Sequence, residues 1–262
     1  MIVLALLGVL LLSVYAYKTK KLTLSGAISA FVVGALISFG LGFKGLLLLA
    51  IFFFTSGFWS RFYQERKENE ITAKGSTRDG WQVLANGGFA AICALLFSIL
   101  QDPIYICGFV ASLAAANADT WASEVGPLAK RRPIHIIKWK PVDAGTSGAV
   151  SAIGTAAAFA GSFIIVVVSI FFWWSSSFAS HHLLFSLTMA GFLGNLFDTL
   201  VGATGQVLYQ CPRCGLETER KIHCNGPTEK KYGLRFLNND TVNAICTGTG
   251  ALFGIVAGLI LL

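Results

Sequence analysis

Charge is what this sequence has least of. Asp, Glu, Lys and Arg make up 13% of its 262 residues, against 55% hydrophobic residues, and the mean hydropathy is +0.68. A water-soluble domain of this length does not carry so little charge, so the composition excludes a freely soluble globular protein and implies an integral membrane one. Also missing is any polar tract of the roughly 100 residues that an aqueous domain needs. Residues 1–262 therefore read as one integral membrane domain, with a Cys-rich cytoplasmic loop at 207–237 inside it. The first apolar stretch lacks the basic run that precedes the core of a cleavable signal peptide. Lysines follow it instead, so it is expected to be a retained helix.

What is present is a series of apolar stretches: Ile2 to Tyr17, Thr23 to Leu41, Gly45 to Phe62, Gln82 to Leu100, Ile104 to Asn117, Ser147 to Trp174, Leu183 to Tyr209 and Thr241 to Leu262. A spanning helix needs about 20 residues, so the first and fifth are short and open to a tilted or re-entrant reading. Threaded in order, alternate connections hold Lys18, Lys20 and Lys21, then Arg61, Arg66, Lys67, Lys74 and Arg78, then Lys130, Arg131, Arg132, Lys138 and Lys140, then Arg213, Arg220, Lys221, Lys230, Lys231 and Arg235. The other connections hold only Lys44. By the positive-inside rule the basic loops are cytoplasmic. The expectation is an all-α polytopic bundle of about eight spanning helices, six or seven if a stretch is partial, with both termini outside a cell membrane. The net charge of +7 is then topological, and nucleic acid is not an expected partner.

Rows of small residues, Gly26, Ala30 and Gly34 in one stretch and Ser147, Ser151 and Thr155 in another, suit close helix packing. SGAISA (Ser25 to Ala30) and SGAVSA (Ser147 to Ala152) differ by one Ile/Val exchange and open stretches four apart. That pairing points to a parallel four-plus-four duplication.

The acids carry the functional signal, because a charge in or beside a spanning helix is costly. Asp119 and Glu124 lie in NADTWASEVGP, Asp198 in GNLFDTLVGATGQ, Asp79 in GSTRDGWQVLANGG, Asp143 in VDAGTSGAVS and Asp240 in NNDTVN. Helix capping is a sufficient reason for Asp79, Asp143 and Asp240, each just before a helix. It does not serve Asp119 or Asp198. Acids among Asn, Gln, Thr, Ser and Gly suit a magnesium-phosphate site, since Mg2+ takes one or two carboxylates plus substrate phosphates. Asp119 and Asp198 are the expected magnesium ligands and catalytic residues, with Glu124 and Asp240 in support. Arg78, Asp79, Asn117, Lys130, Arg131, Arg132, Thr146, Ser147, Gly148 and Asn239 are the expected nucleotide- and phosphate-binding set; for Lys130 to Arg132 the positive-inside anchor is the competing use.

Of six cysteines, Cys93, Cys107 and Cys246 fall in apolar stretches as packing residues. Cys211 and Cys214 form a C-x2-C pair in a cytoplasmic loop, where a disulfide is disfavoured. With His223 and Cys224 they make a tetrahedral zinc set, provided two adjacent residues both reach one ion.

Taken together, GSTRDGWQVLANGG, ADTWASEVGPL, GTSGAVSxxGT, FDTLVGATGQ, the Cys-rich loop and NNDTVN closely resemble the domain-of-unknown-function-92 family of multi-pass membrane proteins, from Ser25 onward. That family includes the phytyl-phosphate kinases of vitamin E biosynthesis. Asp119, Ala122, Ser123 and Gly126 are similar to the D-x-x-A-S-x-x-G signature of the related CTP-dependent phytol and dolichol kinases. The resemblance implies phosphoryl transfer from a nucleoside triphosphate, preferably CTP, to an isoprenyl monophosphate lipid. Two other classes fit the residues: a transporter or flippase for an anionic lipid or metabolite, and a scaffold or assembly factor that uses the Cys-rich loop. The outward loops are poor in polar residues, which speaks against transport.

Overall fold

The computed structural model describes residues 2–62 and 77–262; Arg66, Lys67, Lys74, Gly75 and Ser76 of the motifs above lie outside the described residues. Among the described residues seven α-helices carry the fold: α1 (Ile2–Lys18), α2 (Leu24–Phe62), α3 (Gly80–Leu100), α4 (Ile104–Val125), α5 (Ala152–Ser169), α6 (Ser180–Gly205) and α7 (Asn239–Leu261). Five of them, α2, α3, α5 with the π turn that extends it to Trp174, α6 and α7, are long and apolar enough to cross a membrane. The bundle is helical and polytopic, as expected. The all-α expectation needs one correction, because short strands of two to four residues organise the polar connections.

The second and third apolar stretches share α2, which Gly42 breaks at φ 59° and ψ −145°. Its first arm has Gly26 against Arg78 and Gly40 against Ala94, so it runs parallel to α3. Its second arm has Ser56 bonded to Asn117 and Ser60 to Glu124, so it runs parallel to α4. Between α3 and α4 the chain turns in three residues and brings Gly108 back onto Cys93. The two arms of α2 are therefore antiparallel. Glycine suits the reversal because a positive φ costs it nothing.

At the centre stands α4, which touches α2, α3, α5, α6 and α7 and is buried from Ile106 to Ala118. Enclosure explains its composition. A helix surrounded by protein can hold Asn117, Asp119 and Glu124 where one facing lipid cannot. The fifth stretch, read as ending at Asn117, in fact continues to Val125, so both acids belong to the helix.

Small residues set the approach of α7 to α4. A Cβ at Gly250 would stand 2.7 Å from the Ala111 carbonyl oxygen, and one at Gly254 2.5 Å from that of Cys107. Gly254→Ala is expected to destabilise the protein by about 1–3 kcal/mol through overpacking, read as a lowered melting temperature in detergent; an unchanged melting temperature would refute the packing account.

Helix boundaries correct three other expectations. Ser147, Ser151 and Thr155 do not share a helix: Ser147 is in a turn, Ser151 is the N-cap of α5 through the Gly154 N–H, and only Thr155 is helical. SGAISA is helical from Ser25, whereas SGAVSA passes through a turn and the strand β2 (Ala149–Val150), which pairs with β1 (Ile134–His135), so the two hexapeptides do not share a conformation. The seventh stretch ends at Gly205, where a small sheet begins.

Candidate functional site

The polar connections gather at one end of the bundle. Leu22 bridges to Arg78, Ser151 Oγ donates to the Gly126 carbonyl at 3.1 Å, and Ser147 Oγ reaches Glu219. At the other end Lys44, beside the Gly42 reversal, donates to the Phe172 carbonyl in the α5–α6 connection.

Within the first end, Asp119 on α4 accepts a hydrogen bond from Asn195 Nδ2 on α6 at 3.1 Å. Three residues beyond Asn195, and so on the same face of α6, comes Asp198. Its Oδ2 is buried without a hydrogen-bond partner among the described residues, and the charges of Asp119 and Glu219 both bear on it. Glu124, in the last turn of α4, accepts from Ser60 Oγ at 2.9 Å. Arg78 faces this group: burial pulls its guanidinium below the ordinary value, while Glu124 and Asp119 push it back up. The structure thus brings Asp119, Asp198, Glu124 and Arg78 together from α4, α6 and the entry to α3.

Like charges held in a buried place are unfavourable unless a cation or proton joins them. The orphaned Asp198 oxygen and the neighbouring Asp119 fit a hard cation that takes few protein ligands and completes its shell with water and phosphate.

The remaining candidates are placed differently. Asp79 is the N-cap of α3, in a capping box with Gln82. Capping does not account for the other two acids. Asn238, not Asp240, caps α7, and Asp240 sits in its first turn; Asp143 lies in an exposed loop, 3.9 Å from Arg132. Asn117, expected among the phosphate-binding residues, is instead fully buried. Its amide donates to the Gly161 carbonyl at 2.8 Å and accepts from Thr55 and Ser56, tying α2, α4 and α5. Lys130, Arg131, Arg132 and Asn239 are exposed, and Thr146 is half-buried. Gly148, at φ +81°, presses its backbone on Ala203 of α6.

Beyond α6 the chain forms β3 (Leu208–Gln210), β4 (Glu217–Thr218), β5 (Ile222–His223), β6 (Gly226–Pro227) and β7 (Glu229–Tyr232). The order β4-β3-β7 makes a three-stranded antiparallel sheet, and β5 and β6 form a hairpin. Cys211, Cys214, His223 and Cys224 present ligand atoms all within 4.8 Å of one another. Adjacent His223 and Cys224 both reach the cluster because Cys224 and Asn225 take positive φ, 48° and 57°. His223 Nδ1 lies 3.4 Å from Cys214 Sγ and 3.2 Å from Cys224 Sγ. A Cys214 N–H holds the Cys211 thiol down at about 6, while the hydrogen bond to Cys214 pushes Cys224 up to about 11. These residues can hold a metal ion. Among the described residues no other group of three or more His, Cys, Asp or Glu converges so closely.

Asn195, Gln206 and Glu219 join the site from outside the expected set, the first two from within the GNLFDTLVGATGQ motif. The i, i+3 spacing to Asp198 was a usable signal for Asn195. Nothing in the sequence marks Glu219, whose partners are distant in the chain: Gln206 Nε2 donates to its Oε1 at 2.7 Å and Ser147 Oγ at 3.3 Å.

The chain matches a family model, integral membrane protein DUF92, over residues 7–251. The chain belongs to the DUF92 family. Among its relatives, Protein PGR of Arabidopsis thaliana is 32% identical over 90% of this chain and 88% of its own length. An uncharacterized membrane protein of Methanocaldococcus jannaschii is 29% identical over 96% of this chain and 92% of its own. Protein VTE6, chloroplastic, of Arabidopsis thaliana is 26% identical over 90% of this chain and 65% of its own. No solved structure matches this DUF92 chain. DUF92 membership and the apolar helices make it a multi-pass membrane protein.

Proposed function

We propose that this protein is a membrane-embedded, magnesium- and CTP-dependent kinase that phosphorylates an isoprenyl monophosphate. The reading is supported chiefly by one observation: Asp119 and Asp198, on separate helices, lie within electrostatic reach of each other, and Arg78 faces Glu124 and Asp119. The relative VTE6, and the phytyl-phosphate kinases that the family resemblance brings in, agree with it. In this reading there are eight crossings, both termini are outside, and the acid site is on the cytoplasmic side of a cell membrane.

The reaction asks little covalent work of the protein. An oxygen of the isoprenyl phosphate attacks the γ-phosphorus of the nucleotide, a new P–O bond forms, and the bond to the β-phosphate bridging oxygen breaks, giving isoprenyl diphosphate and CDP. Catalysis is then positioning and charge neutralisation. Asp119 and Asp198 would hold Mg2+, which neutralises phosphate charge when bound. Asn195 fixes the Asp119 carboxylate and Ser60 fixes Glu124, with Asp240 in support. Arg78 grips a phosphate. The Cys211, Cys214, His223 and Cys224 set would hold a structural Zn2+.

Purified protein with labelled CTP, magnesium and phytyl or geranylgeranyl phosphate is expected to yield the diphosphate. No turnover with any nucleotide, together with vectorial uptake of an anionic lipid in proteoliposomes, would replace the kinase by a transporter. Arg78→Ala is expected to raise KM for the phosphate donor roughly 10- to 100-fold, the value of a charged hydrogen bond of about 1.5–3 kcal/mol. Exposed Lys130, Arg131 and Arg132 act through screened charge worth about 0–1 kcal/mol each. Replacing any one of them by Ala should change KM by less than about fivefold, and a larger effect than that of Arg78→Ala would reverse the assignment.

A further inference from the structure

We propose that the Cys/His metal clamp and the carboxylate cluster are one device: the clamp presents Glu219 to the cluster, and metal occupancy of the clamp sets the acid site. The consequence for catalysis rests on the kinase reading; the structural coupling does not.

Glu219 leaves β4 midway between the two ligand pairs, five residues after Cys214 and four before His223. Its Oε1 accepts from Gln206 Nε2 at 2.7 Å and from Ser147 Oγ at 3.3 Å. One carboxylate oxygen therefore joins the clamped loop, the end of α6 and the GTSG turn. Each partner is itself fixed. Gln206 is buried, with Gly233 so close that a Cβ there would stand 2.2 Å from its carbonyl oxygen; the turn holding Ser147 is pinned by Gly148 on Ala203.

The charge on Glu219 bears on Asp198, whose buried oxygen has no hydrogen-bond partner among the described residues. Two carboxylates do not approach unless something compels them. The segment from Leu208 to Tyr232 has strands of only two to four residues, a weak frame against repulsion. The four-ligand clamp supplies the compulsion, closed by Arg213 Nη1 on the Cys224 carbonyl at 2.7 Å. Glu219 is thus a positioning residue that also adds negative charge to the cation site.

Hydrogen exchange of the full-length, zinc-loaded protein in detergent tests the coupling. Chelating the metal should speed exchange at least tenfold at 145–149 and 203–207, where the Ala149 and Val207 amides are hydrogen-bonded, as well as at 211–224. Acceleration confined to 211–224 would overturn the proposal. Glu219→Ala should speed exchange at 145–149 and 203–207 while keeping one zinc per chain, and unchanged exchange there would also overturn it. Glu219→Gln keeps an acceptor but removes the charge: exchange should stay as in wild type while Mn2+ affinity at the acid site falls about tenfold. Unchanged Mn2+ affinity would remove Glu219 from that site. A wild-type protein that binds no Mn2+ would count against the magnesium reading, and the exchange results would still decide the coupling.

Discussion

On the kinase reading, Asp119→Asn is expected to lose turnover by on the order of 10²–10³-fold, the scale seen when one preorganised electrostatic group is removed from an active site, while the protein stays folded. The side-chain amide keeps the size and the acceptor that Asn195 Nδ2 now uses at 3.1 Å, so only the charge disappears. Asp198→Asn should cost a similar factor, with an added signature. Its Oδ2 is buried and the charges of Asp119 and Glu219 bear on it, and relieving repulsion there should leave the melting temperature unchanged or raise it. Lost turnover with retained or increased stability distinguishes a functional acid from a structural one. Full turnover in both variants would remove the magnesium assignment, and a sharp fall in stability in both would make the acids part of the frame.

On the zinc reading of the Cys/His set, loss of its metal is expected to unfold the knuckle outright. Structural zinc in small domains contributes apparent free energies of about 10–16 kcal/mol, far beyond what a sheet of two- to four-residue strands provides. Cys214→Ser should take zinc from one per chain to well below that by elemental analysis, and open 211–224 to protease. Far-ultraviolet circular dichroism should change little, because the packed core lies between α2 and α7 and contains no residue of the knuckle. Zinc-free wild-type protein with a protease-resistant loop would end this account.

Much of the bundle is visible in the sequence because apolar runs and basic connections are local signals. The antiparallel order of successive stretches could be read that way. Helix ends could not: Ser147 to Ser151 is apolar enough to pass for helix, yet Gly148 at φ +81° turns the chain there and Ser151 caps the helix that follows. Asp119 and Asp198 stand out because a buried charge is conspicuous in an apolar sequence. Asn117 misled for the opposite reason, since an amide that ties three helices looks like one that binds a ligand. Glu219 is ordinary until the knuckle folds it onto Gln206 and Ser147.

The reversal at Gly42 also bears on how the chain enters a bilayer. Two apolar arms of 18 and 20 residues rise about 27 and 30 Å at 1.5 Å per residue, and they are joined by a turn with a single lysine beside it. In the eight-crossing reading such a pair can leave the translocon as a preformed hairpin, carrying only Lys44 to the far side. Substituting Gly42 would then be felt first during biosynthesis, as mistargeted or degraded protein, before any effect on the finished fold.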